Sequence, residues 1–238
     1  MNNIIRAIVL SAALGGWAEA QTAPAQPPRI VTSGEAQVRV TPDRATILVG
    51  VQTRAVTAAA AGASNARTQK AILDTLKAMG LTSDQLATQS YSVNPEMQYP
   101  PSGGPGRVTG YTVSNVVRVE LKRIEQVGPV VDASLAKGAN QINSIQFSSS
   151  TASEARRTAM ADAVRDAKAD AEALARAAGG TLGPVIEISS SSPPIRPMYT
   201  EVMMRSAAKD VATPIEPGEQ VISATVSVIW QFIPGSGR

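Results

Sequence analysis

The chain has 238 residues with a formal net charge of +3, and it contains neither cysteine nor histidine. Without cysteine there are no disulfide bonds, no thiol chemistry and no thiolate metal ligands. Without histidine the chain also lacks the usual general base near neutral pH and the usual zinc ligand. Aromatic residues make up 3% of the chain, and its Lys and Arg residues are scattered. We expect no nucleic-acid partner, because such binding uses about six to ten phosphate contacts and aromatic platforms for the bases.

The first twenty residues are typical of a secretory signal peptide. A short cationic start that includes Arg6 is followed by an apolar stretch from Ala7 to Ala18, and a small-x-small cleavage site ends at Ala20. The apolar stretch has about twelve residues, whereas a helix that crosses a membrane needs about twenty. We therefore predict cleavage after Ala20 and a periplasmic mature protein without an integral membrane segment. An uncleaved anchor is the alternative.

Two strands are predicted near the start of the mature chain. Residues 21–29 are a polar, Pro-rich lead-in, which we interpret as a flexible spacer. From Ile30 to Val40 the even positions are mostly small or apolar, a period of two that indicates a half-buried strand. A turn signal at Pro42-Asp43 precedes a second alternating segment, from Ala45 to Val51. Together the two segments predict an antiparallel hairpin.

Two helices are predicted in the first half of the domain. Thr57 is a suitable N-cap for a helix that reaches Met79 and stops at Gly80. A shorter helix lies within the segment from Ile124 to Lys137. Because proline is tolerated only in a first helical turn, Pro129 places the start of this helix close to Gly128.

The third predicted helix is the strongest in the chain. Ser153 caps it and it runs to about Ala178, where two glycines stop it. Its apolar residues recur at helical spacing and most charges lie elsewhere. The residues predicted for the buried face are Met160, Val164, Ala167, Ala171, Leu174 and Ala178.

The remaining alternating segments predict further strands. Residues 87–99 and 111–121 flank a Gly/Pro-rich loop and predict a second hairpin, and shorter apolar runs predict strands near 142–147 and 185–188. The last predicted strand covers residues 220–233. The element order ββαββ-αβαβ-β predicts an α+β fold with a mixed, largely antiparallel sheet and two or three helices packed on it.

We interpret the mature chain as one domain. It covers residues 30–233 and is followed by a short tail, residues 234–238. A division into two lobes near residue 122 is the alternative, although no linker composition supports it.

No motif in the chain predicts catalysis or metal binding. Ser134 and Lys137 form a Ser-x-x-Lys string, but at the end of a predicted helix and without the partner strings of penicillin-binding enzymes. The glycines from Gly103 to Gly106 lack the Lys-Ser/Thr ending of a phosphate loop. Four carboxylates on the third helix are interspersed with cations and indicate a solvated face: Asp162, Asp166, Asp170 and Glu172. We therefore predict no catalytic, cofactor-binding or metal-binding residue.

The segment after residue 193 contains an unusual group of apolar residues in a Pro-rich loop. A concentration of this kind indicates an interaction surface. The alternatives are a loop that folds over a sheet edge of its own domain, and methionines that act as a reversible oxidant sink. The candidate interaction residues are Ile195, Met198, Tyr199, Met203 and Met204.

The chain resembles the SIMPL-domain family, which includes YggE-like periplasmic proteins. Each matching string is weak alone, but their order and spacing are specific, and they extend over nearly the whole mature chain. The strings are IVTSGE at 30–35, TPDRA at 41–45, GY at 110–111, SN at 114–115, RV at 118–119, GANQI at 138–142, AKA at 167–169, AEALA at 171–175, TPIEPGE at 213–219 and SATV at 223–226.

This resemblance implies an α+β fold, periplasmic residence, a role in oxidative-stress defence and a tendency to form ring-like oligomers. The family has no established catalytic or cofactor residues, so none is transferred to this chain. We therefore expect a non-enzymatic envelope protein that acts as a homo-oligomer or by binding a protein or envelope partner of unknown identity. Two alternatives remain open: an envelope hydrolase that uses Asp/Glu or Ser/Lys, and a periplasmic solute-binding protein with a deep cleft.

Overall fold

A computed structural model describes residues 27–101, 103–191, 196–197 and 215–235. Its order of elements confirms the α+β class and the predicted order. The elements, numbered in chain order, are β1 (Arg29–Val40), β2 (Arg44–Ala55), α1 (Ala58–Ala78), β3 (Leu86–Gln98), β4 (Arg107–Leu121), α2 (Val127–Ala136), β5 (Gln141–Ser148), α3 (Ala152–Ala177), β6 (Gly180–Ser191), β7 (Arg196–Pro197) and β8 (Gln220–Pro234).

The strands form two antiparallel sheets. The first sheet has the order β3-β4-β2-β5, and the second has the order β1-β8-β6, with β7 also paired to β8. Helices α1 and α2 pack with the first sheet, and α3 packs on the second. The predicted hairpin of β3 and β4 is confirmed. Because β5 pairs with β2, the first sheet contains strands from both sides of residue 122.

The predicted hairpin of β1 and β2 is wrong. Along its whole length β1 pairs with β8, from Arg29 opposite Gln231 to Val40 opposite Gln220. Strand β2 lies in the other sheet, between β4 and β5. Pro42 and Asp43 therefore lead the chain from one sheet to the other. Residues 41–43 form neither a turn nor a strand, so the turn signal at Pro42-Asp43 does not produce a hairpin.

The first hydrophobic core lies between α1, α2 and the inner face of the first sheet. The predicted N-cap of α1 is confirmed, since the Thr57 hydroxyl accepts a hydrogen bond from Ala60 N at 3.2 Å. Gly80 follows the helix with a φ of 91°, in the left-handed region. The start of α2 at Val127 agrees with the prediction from Pro129. The largest fully buried side chains of this core include Ile47, Ile72, Leu76, Leu121, Val119 and Val130.

The second core is a close contact between α3 and β1. A Cβ atom at Gly34 would overlap the Ala163 carbonyl oxygen and lie 2.5 Å from the nitrogen of Ala167. The Thr32 hydroxyl donates to the carbonyl oxygen of Ala167 at 2.8 Å and accepts from the Trp230 indole N–H at 3.0 Å. Alanine side chains keep the helix this near the sheet. The buried residues of α3 are Ala155, Ala159, Ala163, Ala167, Ala171 and Ala175.

The predicted start and buried face of α3 need correction. The N-cap is Thr151, and Ser153 is an exposed residue of the first turn. Of the predicted face, Ala167 and Ala171 are buried, whereas Leu174 is half exposed. A stripe that repeats every four residues drifts by about 40° per step in a helix of 3.6 residues per turn. A prediction that assumes one straight stripe therefore misplaces the buried residues near the two ends of the helix, such as Ala155 and Ala175.

Hydrogen bonds and apolar packing hold together the segments that connect the two sheets. Asp43 accepts hydrogen bonds from the backbone N–H of Ser150, at 2.7 Å, and from its hydroxyl. The side chain of Gln220 donates to the carbonyl oxygen of Phe147 at 2.6 Å, and Ile215 packs against the first core. These contacts join the start of β2, the end of β5 and the approach to β8. Within the described ranges, no helix is both long and apolar enough to cross a membrane.

Candidate functional site

The hairpin of β3 and β4 extends beyond the rest of its sheet. The last pair between β2 and β4 joins Ala55 to Tyr111, whereas β3 and β4 stay paired as far as Gln98 and Arg107. Within the part of the chain that the structure describes, residues 96–98 and 107–110 therefore form a two-stranded ribbon without a third strand. We call residues 91–99 and 107–113 the arm.

One face of the arm is apolar and accessible to solvent. Alternate residues of a strand project from the same face, so Tyr91, Val93 and Met97 form an apolar strip along β3, which Tyr99 extends just beyond the end of the strand. Their exposed fractions are 56%, 42%, 43% and 68%, respectively. An accumulation of large apolar side chains at the surface is typical of an interaction surface.

Glycines support the two exposed tyrosines. A Cβ atom at Gly106 would lie 2.7 Å from the ring of Tyr99, so this ring lies against the glycine backbone. The Tyr91 hydroxyl lies 3.5 Å from the position that a Cβ atom of Gly62 on α1 would occupy. Helix α1 packs mainly over β2 and β4. The apolar strip is therefore on the helix side of the sheet but is not covered by the helix.

The base of the arm is fixed by polar contacts, and its free edge is interrupted. Glu96 forms an ion pair with Arg54 and accepts a hydrogen bond from the hydroxyl of Thr112 at 2.5 Å. Pro95 and two register shifts, one between Thr88 and Ser90 and one between Glu96 and Met97, interrupt the pairing of β3 with β4. Prolines and bulges on an edge strand oppose pairing with another strand. We therefore expect the arm to bind through its face.

A second partly uncovered apolar surface lies between α3 and β6. Val185 pairs with Trp230 and Ile188 pairs with Val228, both of which are buried under α3. Val185 and Ile188 nevertheless remain 43% and 51% exposed. The reason is that α3 lies mainly over β1 and β8 and makes fewer contacts with the edge strand β6.

An open cavity of about 270 Å3 lies where β2 begins and β4 ends. Its charged lining residues are Arg44, Lys122, Asp84 and Glu120. A hydrogen bond from the Thr82 side chain lowers the pKa of Asp84 below its usual value. Asp84 is therefore ionised at neutral pH and is poorly suited to act as a general acid. Glu120 forms an ion pair with Arg118 at 2.8 Å.

The Ser-x-x-Lys string is not arranged for nucleophilic catalysis. Ser134 is buried in the last turns of α2, and its hydroxyl donates to the carbonyl oxygen of Val130 at 2.7 Å. Lys137 is the C-cap residue of the same helix. The glycines from 103 to 106 lie in the loop between β3 and β4, as predicted.

The carboxylates of α3 have structural contacts. Asp162 pairs with Arg165, and Lys168 lies 3.7 Å from Glu172. Asp166 accepts a hydrogen bond from the backbone N–H of Glu35 on β1 at 3.0 Å. Among the described residues, no three metal-ligating side chains form a group that could hold an ion.

The predicted interaction residues Ile195, Met198, Tyr199, Met203 and Met204 lie outside the described residues. The sequence alone did not predict the arm. The alternation in residues 87–99 does contain part of the pattern, because Tyr91 and Val93 share a face of that predicted strand. Which face of that strand a helix covers depends on the position of α1, and strand alternation alone does not give it.

Comparisons with known proteins place this architecture in a family. The model of the family described as SIMPL, protein of unknown function (DUF541), matches residues 30–230. The chain belongs to the SIMPL family. It is 32% identical over 230 residues to the 26 kDa periplasmic immunogenic protein of Brucella melitensis, with 92% of this chain and 90% of the relative covered.

Other SIMPL relatives carry names that assign no activity. The uncharacterized protein YggE of Edwardsiella ictaluri is 30% identical, with 79% of each chain covered. The uncharacterized protein YggE of Escherichia coli K12 is 26% identical, with 87% of this chain and 84% of the relative covered.

Several residues that carry the SIMPL resemblance have roles in the fold. The Asn140 side chain accepts a hydrogen bond from Gln52 N and donates one to Gln52 O, both at 2.8 Å. It thus continues the pairing of β2 beyond the start of β5. Gly34 permits the close contact between β1 and α3. Asp43 links the β1–β2 connection to the β5–α3 connection through its hydrogen bond from Ser150. These strings therefore identify the architecture of the domain and do not identify a reactive site.

Proposed function

We propose that this SIMPL protein is a non-enzymatic component of the bacterial envelope that assembles with copies of itself and contributes to defence against oxidative damage. The observation that carries the assembly part is the uncovered apolar strip of the arm. The oxidative-stress part follows from the resemblance described above and is tested separately below.

The arm favours self-association because one face is apolar and its tip, residues 96–98 and 107–110, has no third strand among the described residues. A two-stranded hairpin is marginally stable in water unless a third strand or another layer packs on it. Full burial of a Val or Met side chain contributes about 1.5–3 kcal/mol. Roughly half of this contribution is still available at Val93 and Met97, which are 42% and 43% exposed. A partner that covered the strip would therefore stabilise the arm as well as the complex.

The non-enzymatic part rests on the chemistry of the described residues. Cysteine and histidine are absent from the chain. The Ser134 hydroxyl is buried and bonded to the backbone. Asp84, in the cavity, has a lowered pKa, and Glu120 is paired with Arg118. This proposal is contradicted if purified protein hydrolyses envelope material and the activity is lost when one of these side chains is replaced.

We place the protein in the periplasm, with residues 1–20 as a cleavable signal peptide. The Brucella melitensis relative is named as a periplasmic protein, and the sequence has the charge and hydropathy pattern of a secretory signal. Cell fractionation followed by mass determination of the purified protein tests this directly. We expect an N-terminus at Gln21, and an intact Met1 on a cytoplasmic protein would contradict the assignment.

Light scattering coupled to size-exclusion chromatography tests the assembly. Tyr99→Glu places a charge on the apolar strip and is expected to reduce the mass of the particle towards one subunit. Leu135→Glu is the matched control, because Leu135 is an exposed leucine on α2, away from the arm. The assembly part fails if wild-type protein has the mass of one subunit at micromolar concentration.

Survival under hydrogen peroxide tests the link between assembly and protection. A strain that lacks the gene is complemented with wild type, Tyr99→Glu or Leu135→Glu at equal protein levels. We expect protection by wild type and Leu135→Glu and a clear loss with Tyr99→Glu. Equal protection by a monomeric Tyr99→Glu protein would separate protection from assembly and overturn the proposal.

A further inference from the structure

We propose that Asp166 closes the free edge of β1 against pairing with β1 of a second copy. This inference goes beyond the self-assembly proposed above, because it concerns a strand edge and not the face of the arm. It gives Asp166 a role in deciding which surfaces of the molecule can associate.

Three edge strands of the two sheets carry features that oppose pairing with a further strand. Among the described residues, the edge strands are β3 and β5 in the first sheet and β1 and β6 in the second. Strand β3 contains Pro95, and β6 contains Pro184 at one of its two register shifts. On β5, the side chain of Gln220 donates to the carbonyl oxygen of Phe147 at 2.6 Å.

Strand β1 is regular along its 12 residues. It contains no proline, and its pairing with β8 runs from Arg29 to Val40 without a register shift. A long, regular edge strand is a template for pairing with another strand. The free edge of β1 therefore needs a different protection if it is to stay unpaired.

Asp166 of α3 bonds to the middle of this edge. The carbonyl oxygen of Pro28 accepts a hydrogen bond from Phe232 N at 2.9 Å, so the backbone groups of β1 at even positions face β8. Those at odd positions face the free edge, because successive residues of a strand point their backbone groups to opposite sides. Glu35 is at an odd position, and its N–H donates to the Asp166 carboxylate at 3.0 Å.

This hydrogen bond divides the free edge into two runs. Residues 29–33 lie on one side of Glu35 and residues 37–40 on the other. A strand that pairs along the whole of β1 has to displace the carboxylate of Asp166. A strand that avoids the carboxylate gains only part of the backbone hydrogen bonds that the edge offers.

The charges of β1 favour a second copy of β1 as the partner. In an antiparallel pair with Gln37 opposite Gln37, Glu35 of each copy lies opposite Arg39 of the other. Within the described ranges, neither Glu35 nor Arg39 has an ion-pair partner. Opposite charges that face each other across two strands stabilise the pair. This register places odd positions opposite odd positions, so it needs the Glu35 N–H that Asp166 occupies.

Removal of the carboxylate should allow two copies to pair. Asp166→Ala is introduced into Tyr99→Glu protein, so that association through the arm does not contribute. We expect the mass measured by light scattering at micromolar concentration to rise from one subunit to two. Asp170→Ala in the same protein is the matched control, because Asp170 is exposed on the same helix and its loss changes the net charge equally. The control should keep the mass of one subunit, and unfolding curves show whether each variant is folded.

Two further variants separate the hydrogen bond from the charge. Asp166→Asn keeps a carbonyl oxygen that accepts from the Glu35 N–H, so it should keep the mass of one subunit although the charge is lost. Arg39→Glu, added to Asp166→Ala, places two carboxylates opposite each other and should return the mass to one subunit. The proposal is wrong if Asp166→Asn dimerises as strongly as Asp166→Ala, or if Arg39→Glu leaves the dimer intact.

Hydrogen exchange tests the edge independently of the arm. In wild type, the Glu35 amide should exchange several-fold more slowly than the Gln37 amide, which faces the same edge without the Asp166 carboxylate. If Tyr99→Glu protein is still oligomeric, association through the arm fails, and the exchange rates still test the edge. Equal exchange of the two amides in wild type, or a folded Asp166→Ala variant that does not dimerise, would overturn the role of Asp166.

Discussion

Gly34 lies where β1 passes very close to the backbone of α3. A Cβ atom there would overlap the carbonyl oxygen of Ala163. The two nearest atoms, the oxygen of Ala163 and the nitrogen of Ala167, belong to the helix backbone. Backbone atoms cannot rotate aside as a flexible side chain can. The sequence string that includes Gly34 thus has a physical reason: the residue must lack a side chain if a helix is to pack so close to this strand.

Replacing this glycine is expected to destabilise the fold. Gly34→Ala should lower the free energy of unfolding by about 1–3 kcal/mol, the usual cost of excess volume in a packed interior. The control is Gly62→Ala in α1, where a Cβ atom meets only the Tyr91 hydroxyl at 3.5 Å. Since alanine favours helix, the control should be neutral or stabilising by about 0.5–1 kcal/mol. Urea unfolding curves measure both, and equal effects would contradict the packing argument.

The hydrogen bonds between Asp43 and Ser150 should make the stability of the fold depend on pH. Hydrogen bonds from the side chain and the backbone of Ser150 lower its pKa below the ordinary value of 3.8. A lowered folded-state pKa stabilises the fold above the unfolded-state value, and the contribution is lost as the pH falls through the folded-state pKa.

The difference in stability between wild type and Asp43→Asn should therefore depend on acid pH. We expect the difference to be constant from neutral pH to about pH 5 and to shrink below the ordinary carboxyl pKa. Thermal unfolding at a series of pH values provides the measurement, with Ser150→Ala as a second way to remove the tie. A difference that grows as the pH falls would show that the sign is wrong.

At the scale of elements, α3 is a helix held close to a sheet by alanines. Ala167→Leu adds three carbon atoms where the Thr32 hydroxyl reaches the helix backbone at 2.8 Å. We expect a loss of about 1–3 kcal/mol in the free energy of unfolding. Ala169→Leu is the control, because Ala169 is exposed on the same helix and has the same intrinsic propensity change. Similar losses in both variants would contradict the close-contact account.

Local signals predicted the elements well where the deciding chemistry is local. Thr57 and Gly80 mark the ends of α1 because a hydroxyl cap and a left-handed glycine act on their own helix. The cap of α3 was misplaced by two residues because Ser149, Ser150, Thr151 and Ser153 are all suitable. The structure selects Thr151, since Ala155 N donates to its carbonyl oxygen at 2.9 Å.

Strand partners were harder to predict because they depend on contacts distant in sequence. The alternation from Ile30 to Val40 gave the correct buried face of β1, but its partner β8 begins at Gln220. Nothing in the sequence around Pro42-Asp43 indicates that the chain changes sheets there. Because β1 and β2 are adjacent along the chain, a hairpin was the expected arrangement. Instead β1 pairs with β8, and α3 packs on both strands.

At the scale of the whole molecule, the sequence predicted the class and the family but not the arm. The strip from Tyr91 to Tyr99 is exposed because α1 lies over β2 and β4 and because β2 ends at Ala55. Both facts belong to the assembled fold. The predicted interaction residues from Ile195 to Met204 remain a separate prediction, just beyond the end of β6.

Hydroxyl-radical footprinting at increasing protein concentration tests the central claim most directly. Met97 on the arm and Met79 at the end of α1 are 43% and 37% exposed in the single chain, so Met79 is an internal control. If copies associate through the arm, oxidation of Met97 should fall several-fold as concentration rises, while oxidation of Met79 stays constant. Equal and unchanging oxidation of the two methionines in an oligomeric protein would contradict association through the arm.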